Sequence, residues 1–399
     1  MGWARAGVTG YQALNISYGG DNWGGLEANN ENCLLDGSVH DDRWWFAVGS
    51  FGNFNSGIPG PDDTVVQEVE LWVEPGPPVL TPDPLFQSGM VLQAGRDNAV
   101  WGVVLGGAGT GTLALHQAGQ LVWEGNLAVG DEGDWTVAIP AEHCQQGTGY
   151  TITIQAEVTT PVLLDDISFG EVWVCSGQSN MEFKMFGILN SEEEMATSAN
   201  FTSVRFAKVE YMPVGEEMSH LWGGLALPWS SPAQQDRLAQ ISAVCFLYGR
   251  ALAAELGVPV GLVETSWGGT RVEAWSPQSG LAECGVPPSP DLGEGVPNED
   301  SRLYNGMVAP LTRLTIAGAV WYQGEANVYY NTDLYSCTFP QVCHHNFSLF
   351  DLLSPQMIAS WRAAWAANTA GATDPTFPFG FVQLGTWNEQ VCIFALYFA

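Results

Sequence analysis

Glu171-Val-Trp-Val-Cys-Ser-Gly-Gln-Ser-Asn-Met181 is the stretch from which the fold is read. An apolar run of strand type (Phe169, Val172, Trp173, Val174) ends at Ser176-Gly177, a small polar cluster follows, and apolar residues resume from Met181 to Phe186. That order predicts a strand, a tight glycine turn and the first turn of a helix. A serine so placed stands at a helix N-terminus, where free backbone N–H groups favour developing negative charge. Ser179 is therefore a candidate nucleophile, with its own N–H and that of Gln178 as nearby oxyanion donors. The competing reading is that Ser179 only caps the helix.

Two further stretches favour chemistry. Val260-Gly-Leu-Val-Glu-Thr265 reads as a strand running into Ser266-Trp-Gly-Gly-Thr-Arg-Val-Glu-Ala-Trp275. Ala317-Gly-Ala-Val-Trp-Tyr322 reads as another, running into Gln323-Gly-Glu-Ala-Asn327. In an open parallel sheet, ligands bind outside the carboxyl ends of the strands, so these segments form three walls of one expected site.

The three motifs, in this order, resemble the SGNH-type carbohydrate esterases, and most closely the sialate O-acetylesterases. Gly177-Gln-Ser-Asn-Met181, Ser266-Trp-Gly-Gly-Thr270 with Glu273-Ala-Trp275, and Trp321-Tyr-Gln-Gly-Glu-Ala-Asn327 carry the resemblance, which extends more weakly from about Leu85 to Leu384. It implies Ser179 as nucleophile. It also implies an oxyanion hole made by the Ser179 N–H, a glycine N–H of the 267–269 turn and the Gln323 side-chain amide. Gly268 and Gly269 both fit, because glycine lets backbone approach a ligand closely, and Gly269 is the preferred one. Glu325 is expected to orient the loops, and Gln178, Asn180, Glu273 and Asn327 to support them. Ala326 replaces a serine often found in the family. No cofactor and no metal are implied.

The catalytic base is the departure. The resemblance implies an Asp-x-x-His motif downstream of Gln323, yet the six histidines are His40, His116, His143, His220, His344 and His345, none three residues after an aspartate. The chain is accordingly expected to lack the C-terminal part of the domain, and to be a poor or inactive enzyme as it stands. His220 is the first alternative base. Cys343-His344-His345 hints weakly at metal, in a segment (about 342–356) without family counterpart.

Composition narrows the partners. With 43 acidic against 12 basic residues the net charge is −31, which argues against nucleic acid or an anionic membrane surface. An anionic sugar would need local recognition, for example by Arg271. Seventeen tryptophans are read mainly as core. No apolar run reaches membrane-spanning length, and no signal peptide is seen at the N-terminus. The resemblance nonetheless implies a lysosomal or extracellular setting, and three sequons (Asn15, Asn200, Asn346) permit glycosylation there. Cys284 and Cys337, in loops after two of the site strands, are an expected disulfide.

Three regions are expected. Residues 1–77 are Gly- and Asn-rich with short strands, a β-rich segment and possible partial accessory module, bounded by the stiff Glu74-Pro-Gly-Pro-Pro78. Residues 78–164 alternate short strands with turns, a small antiparallel β domain. Residues 165–399 alternate strand and helix, including a helix over 236–256 closed by Gly257, which predicts an α/β, SGNH-like three-layer domain with a mostly parallel sheet. The function this implies is removal of O-acetyl groups from sugars, sialic acids foremost. The alternatives are an acetyl-xylan-type polysaccharide esterase and a non-catalytic sugar-binding form.

Overall fold

The computed structural model describes residues 79–382 except 106–109, 131–132, 157–158, 288, 290–295 and 328–355, together with the backbone of 37–40, 43–46, 69–71 and 396–398. Contacts divide the chain into two compact units, Met1–Pro75 and Gly76–Ala399. In the first, β1 (Gly37–His40), β2 (Arg43–Phe46) and β3 (Val69–Leu71) form an antiparallel three-stranded sheet.

The second unit holds a four-stranded antiparallel sheet in the order β4-β6-β10-β9. It comprises β4 (Val79–Pro82), β6 (Asn98–Leu105), β9 (Ala128–Val129) and β10 (Asp134–Ile139). Strict alternation in β10 buries Trp135, Val137 and Ile139 and exposes the residues between them, as a half-buried strand requires. An eleven-stranded sheet completes the unit. Its antiparallel side contains β7 (Gly111–Gln117), β8 (Gln120–Asn126) and β11 (Gly147–Ala156), with β5 (Val91–Gln93) beside β12.

Strand β12 (Val162–Gly177) is sixteen residues long and belongs to both sides of this sheet. Its first part pairs antiparallel with β11, while Glu171–Gly177 lies parallel between β15 (Val260–Ser266) and β16 (Gly318–Tyr322). Beyond these stand β13 (Val204–Val209), with β14 (Leu225–Ser230) antiparallel at its edge, and β17 (Phe379–Val382), with β18 (Leu396–Phe398) antiparallel at the other. A mostly parallel sheet is thus found only across β13-β15-β12-β16-β17. Over the chain antiparallel pairings predominate, because β12 carries the hairpin-linked strands and the parallel strands on one continuous ladder. The expected boundary at 164/165 falls within β12. The β17 edge pairs antiparallel with β18 of the same chain.

Alternation along the parallel strands feeds two cores. Trp173, Cys175, Leu262 and Val320 face one cluster, which contains Cys245, Phe246 and Ala253 of a helix. Val172, Val174, Val263 and Trp321 face the other, which contains Trp275, Trp361 and Trp365. Most described tryptophans are core, as composition predicts.

The helices are α1 (Ser179–Glu182), α2 (Ser191–Ser198), α3 (Gln235–Leu238), α4 (Ala243–Leu256), α5 (Gln278–Glu283) and α6 (Gln356–Asn368). The helix expected over 236–256 is therefore broken at 239–242. There Met185 N–H donates to Ile241 O (3.0 Å) and Ala243 N–H to Phe183 O (2.8 Å), so this segment pairs with the chain that follows α1. Ser242 restarts the helix as its N-cap, its side chain accepting from the Cys245 N–H. Gly257 ends it in the left-handed conformation (φ 66°), as expected. Cys175 of β12 is disulfide-bonded to Cys245 of α4, a pairing the sequence reading did not anticipate. Cys284 is also in a disulfide, and its expected partner Cys337 lies outside the described residues.

Candidate active site

The parallel strands end level with one another. Gly177 is opposite Ser266 of β15 on one side and Tyr322 of β16 on the other. From β12 the chain moves to β13 on one flank, whereas from β16 it moves to β17 on the opposite flank, the kind of reversal in strand order at which open α/β sheets place their ligand sites. Gly177 has φ 142°, and a Cβ there would sit 2.2 Å from the Tyr322 carbonyl oxygen. Only glycine allows strand and loop to meet so closely.

The turn after Gly177 is tied on both sides. Trp267 N–H donates to Gly177 O (3.0 Å), and Gln178 N–H donates to Tyr322 O (2.9 Å). Gln178 occupies the N-cap position of α1, without a side-chain cap. Ser179 is the first helical residue, so its hydroxyl does not cap, and the residue is exposed. Its backbone N–H is one of the unpaired donors of the first turn.

The second motif comes directly against this serine. A Cβ added at Gly268 would lie 3.5 Å from the Ser179 Cβ, and the Gly268 N–H donates to Glu182 Oε2 (2.7 Å). That amide is therefore occupied. Gly269 is left-handed (φ 75°), with open space beside it, and its carbonyl accepts from Asn298 Nδ2 (3.0 Å). Arg271 is held by the same residue, its guanidinium donating to the Asn298 carbonyl and its N–H to Asn298 Oδ1. Gln323 is buried, and its amide donates to Thr270 O (3.1 Å) and Asn327 Oδ1 (2.7 Å). In this arrangement Gln323 braces the 267–270 turn.

The supporting residues knit the three loops together. Gln178 Oε1 accepts from the N–H groups of Gly324 (3.4 Å) and Ala326 (3.2 Å), and Asn180 Nδ2 donates to Glu325. Asn327 Oδ1 also accepts from the Val272 N–H (3.0 Å), while its Nδ2 donates to Glu273 Oε2 (2.8 Å). Each of these side chains joins two loops, which fixes loop spacing through buried hydrogen bonds.

Sequence reasoning missed the layer beneath. Lys208 of β13 and Glu264 of β15 are register partners on parallel strands, and Lys208 Nζ lies 2.9 Å from Glu264 Oε1. Lys208 Nζ also stands 3.7 Å from Glu182 Oε1, which accepts from the Tyr211 hydroxyl. Ser266 Oγ donates to Glu264 Oε1 (2.7 Å) and the Ser242 N–H to Glu264 Oε2 (2.8 Å). Complete burial pushes the Glu264 carboxyl above its ordinary range, against the opposing pull of Lys208 and these donors. Burial, reinforced by the hydrogen bond to Glu182, likewise raises Tyr211, whose ring stacks on Trp267 at 4.2 Å.

Beside Ser179 an open depression of about 220 Å³ is lined by Glu182, Phe183, Lys184, Phe186 and Gly187. Phe183 and Phe186 are 51% and 56% exposed, an aromatic rim at the nucleophile. His220, by contrast, is buried, with Nδ1 3.2 Å from Asp83 Oδ2 and Nε2 3.0 Å from Asp134 Oδ1. Both ring nitrogens are engaged away from Ser179, which corrects its reading as the alternative base. His116 lies on β7 and His143 next to Trp123, both in the antiparallel region. His344, His345 and Cys343 lie outside the described residues, as do the sequons at Asn15 and Asn346; Asn200 is exposed.

The family profile described as carbohydrate esterase, sialic acid-specific acetylesterase matches residues 169–345. The chain is 36% identical to the human sialate O-acetylesterase over 309 residues, covering 74% of this chain and 55% of that protein. It is 34% identical to the Rattus norvegicus sialate O-acetylesterase over 337 residues, covering 75% of this chain and 59% of that protein. The chain thus spans little more than half the length of these curated relatives. Among solved structures it is similar to a carbohydrate acetylesterase from Xanthomonas citri, with TM-score 0.59 and 25% identity, over 76% of this chain and 60% of that one. The resemblance read from the three motifs is shown by these matches.

Proposed function

We propose, on the premise that residues 169–345 match the sialic acid-specific acetylesterases, that this chain carries the serine-esterase site of a carbohydrate O-acetylesterase. The observation that carries the reading is the convergence of three loops on Ser179, exposed at the level ends of β12, β15 and β16. Ser179 Oγ would give its proton to a general base, for which the resemblance implies the histidine of an Asp-x-x-His motif, and attack the acetyl carbonyl. The Ser179 and Gly269 N–H groups would hold the oxyanion. Gln323 would join them on giving up its bond to Thr270 O. Collapse would break the bond to the sugar oxygen, which takes that proton, and leave acetyl-Ser179. Water would then release acetate. Helices drawn from both faces of the β13-β15-β12-β16-β17 sheet support an SGNH-type reading of this region.

O-acetylated sialic acids are the proposed substrates, with acetylated polysaccharide such as xylan as the competing class. Phe183 and Phe186 offer apolar faces on which a sugar ring can stack. The Cys175–Cys245 disulfide, the disulfide at Cys284 and the exposed sequon at Asn200 support an oxidising, lysosomal or extracellular setting. The test is covalent labelling with a serine-directed phosphonate, followed by peptide mapping, beside acetate release from an O-acetylated sialic acid and from acetylated xylan. Label on Ser179 with preferential release from the sialic acid is expected. Label elsewhere would overturn the nucleophile, and preferential release from xylan would overturn the substrate.

A further inference from the structure

Glu182 stands one helical turn after Ser179, and its carboxylate joins four elements of the site. Oε2 accepts from the Gly268 N–H at 2.7 Å, Oε1 accepts from the Tyr211 hydroxyl, and Lys208 Nζ lies 3.7 Å from Oε1. Lys208 is anchored in turn to the fully buried Glu264. Tyr211, held from below by Glu182, stacks on Trp267, the residue that opens the glycine turn. A Cβ at Gly268 would meet Glu182 Oε2 at 3.0 Å and the Ser179 Cβ at 3.5 Å, so the turn lies close against both side chains.

We infer that Glu182 is a positioning residue: by taking the Gly268 N–H and supporting Trp267 through Tyr211, it fixes the turn so that the Gly269 N–H is the glycine donor of the oxyanion hole. Three facts converge on this assignment. The Gly268 amide already has a carboxylate acceptor, so aiming it at an oxyanion would break a charge-assisted bond. Gly269 has its backbone left-handed and its flank open to an incoming group. Glu182 shares one helical turn with the nucleophile, so its side chain ties Ser179 directly to a turn that the Trp267 N–H and Gln323 brace from the other strands.

The inference rests on the esterase reading, and the experiment separates the two. Glu182→Ala and Glu182→Gln are compared with the unaltered chain by amide hydrogen exchange over residues 266–270, by aryl-acetate turnover and by the rate of phosphonate labelling at Ser179. Losing one oxyanion donor costs about 100- to 1000-fold, so a displaced donor in Glu182→Ala should lower kcat, or the labelling rate, by about 10- to 100-fold. KM should stay within about twofold, because only transition-state binding is touched. Glutamine keeps an acceptor for the Gly268 N–H, so Glu182→Gln should recover most of the rate and the slow exchange. Unchanged exchange over 266–270 in Glu182→Ala overturns the inference. So does a loss carried by KM, or a glutamine variant as impaired as the alanine one. If a form of the protein that includes the Asp-x-x-His motif neither turns over nor labels, the esterase reading fails, while exchange in the unaltered chain still decides whether Glu182 fixes the turn.

Discussion

Two buried polar clusters in this molecule look alike on paper and differ in use. In one, His220 lies between Asp83 and Asp134; in the other, Lys208 lies between Glu264 and Glu182. Both place a buried basic side chain between two carboxylates, though Asp134, the outer partner of His220, is more than half exposed. The first is closed, for Asp83 also accepts from the N–H groups of Leu85 (3.0 Å) and Leu221 (2.9 Å), so its bonds return to local backbone. The second is open at one end: Glu182 reaches the glycine turn and sits on the helix of an exposed serine. A buried ionisable cluster is therefore no mark of chemistry by itself. What distinguishes a working cluster is a continuous path of bonds to a reactive group at the surface.

Four changes test that contrast, beginning with the largest expected effect. In a form of the protein that includes the Asp-x-x-His motif, Ser179→Ala should lower acetyl-ester turnover by at least about a thousandfold, as loss of a nucleophile does, while leaving the melting temperature unchanged. Turnover kept within tenfold would remove the site from its place in the comparison. Lys208→Met leaves Glu264 and Glu182 without their cation and should cost about 3–5 kcal/mol of stability by denaturant titration. Activity per folded molecule should fall as well, because the path to Gly268 is disturbed.

His220→Ala should cost less, about 1–3 kcal/mol for unsatisfied partners, and should leave turnover per folded molecule unaltered. A turnover loss matching that of Lys208→Met would erase the distinction. The smallest effect is a slope. Glu264 binds its proton more tightly folded than unfolded, so its contribution is complete below the ordinary value of 4.5 and is lost as pH rises through the folded value. Measured relative to Glu264→Gln, which cannot titrate, the unaltered chain should lose stability as pH rises above about 4.5. A rising difference would mean that Lys208 outweighs burial.

The sequence disclosed the site where composition changes abruptly. Apolar strands that end in glycine and amides were readable at Gly177, Gly268–Gly269 and Gly324; at Gly177 the reason is close backbone approach to the Tyr322 carbonyl, and at Gly269 a left-handed backbone. Gln178, Asn180, Glu273, Glu325 and Asn327 were legible as loop-linking residues by the same logic. Glu182 and Lys208 were not, since each reads alone as a surface charge; only the register of β13 on β15 brings Lys208 to Glu264. The break at 239–242 was hidden because helical spacing of Leu238, Ile241 and Cys245 continues across a segment whose backbone bonds go to 183–185. The Cys175–Cys245 bridge depends on α4 lying over β12, which spacing along the chain does not encode.

Strand β12 has a practical consequence for anyone who would trim this protein. At roughly 3.3 Å per residue its sixteen residues reach at most about 50 Å, hydrogen-bonded along the way to β5, β11, β15 and β16. The acidic pair Asp165-Asp166, with Asp166 left-handed at φ 53°, looks in the sequence like a hinge suited to a scalpel. A cut there would sever the strand in mid-span and strip the parallel strands of the stem that carries Ser179. Excision, permutation or insertion should instead be aimed at the Pro75–Gly76 junction, where the two compact units meet in the chain.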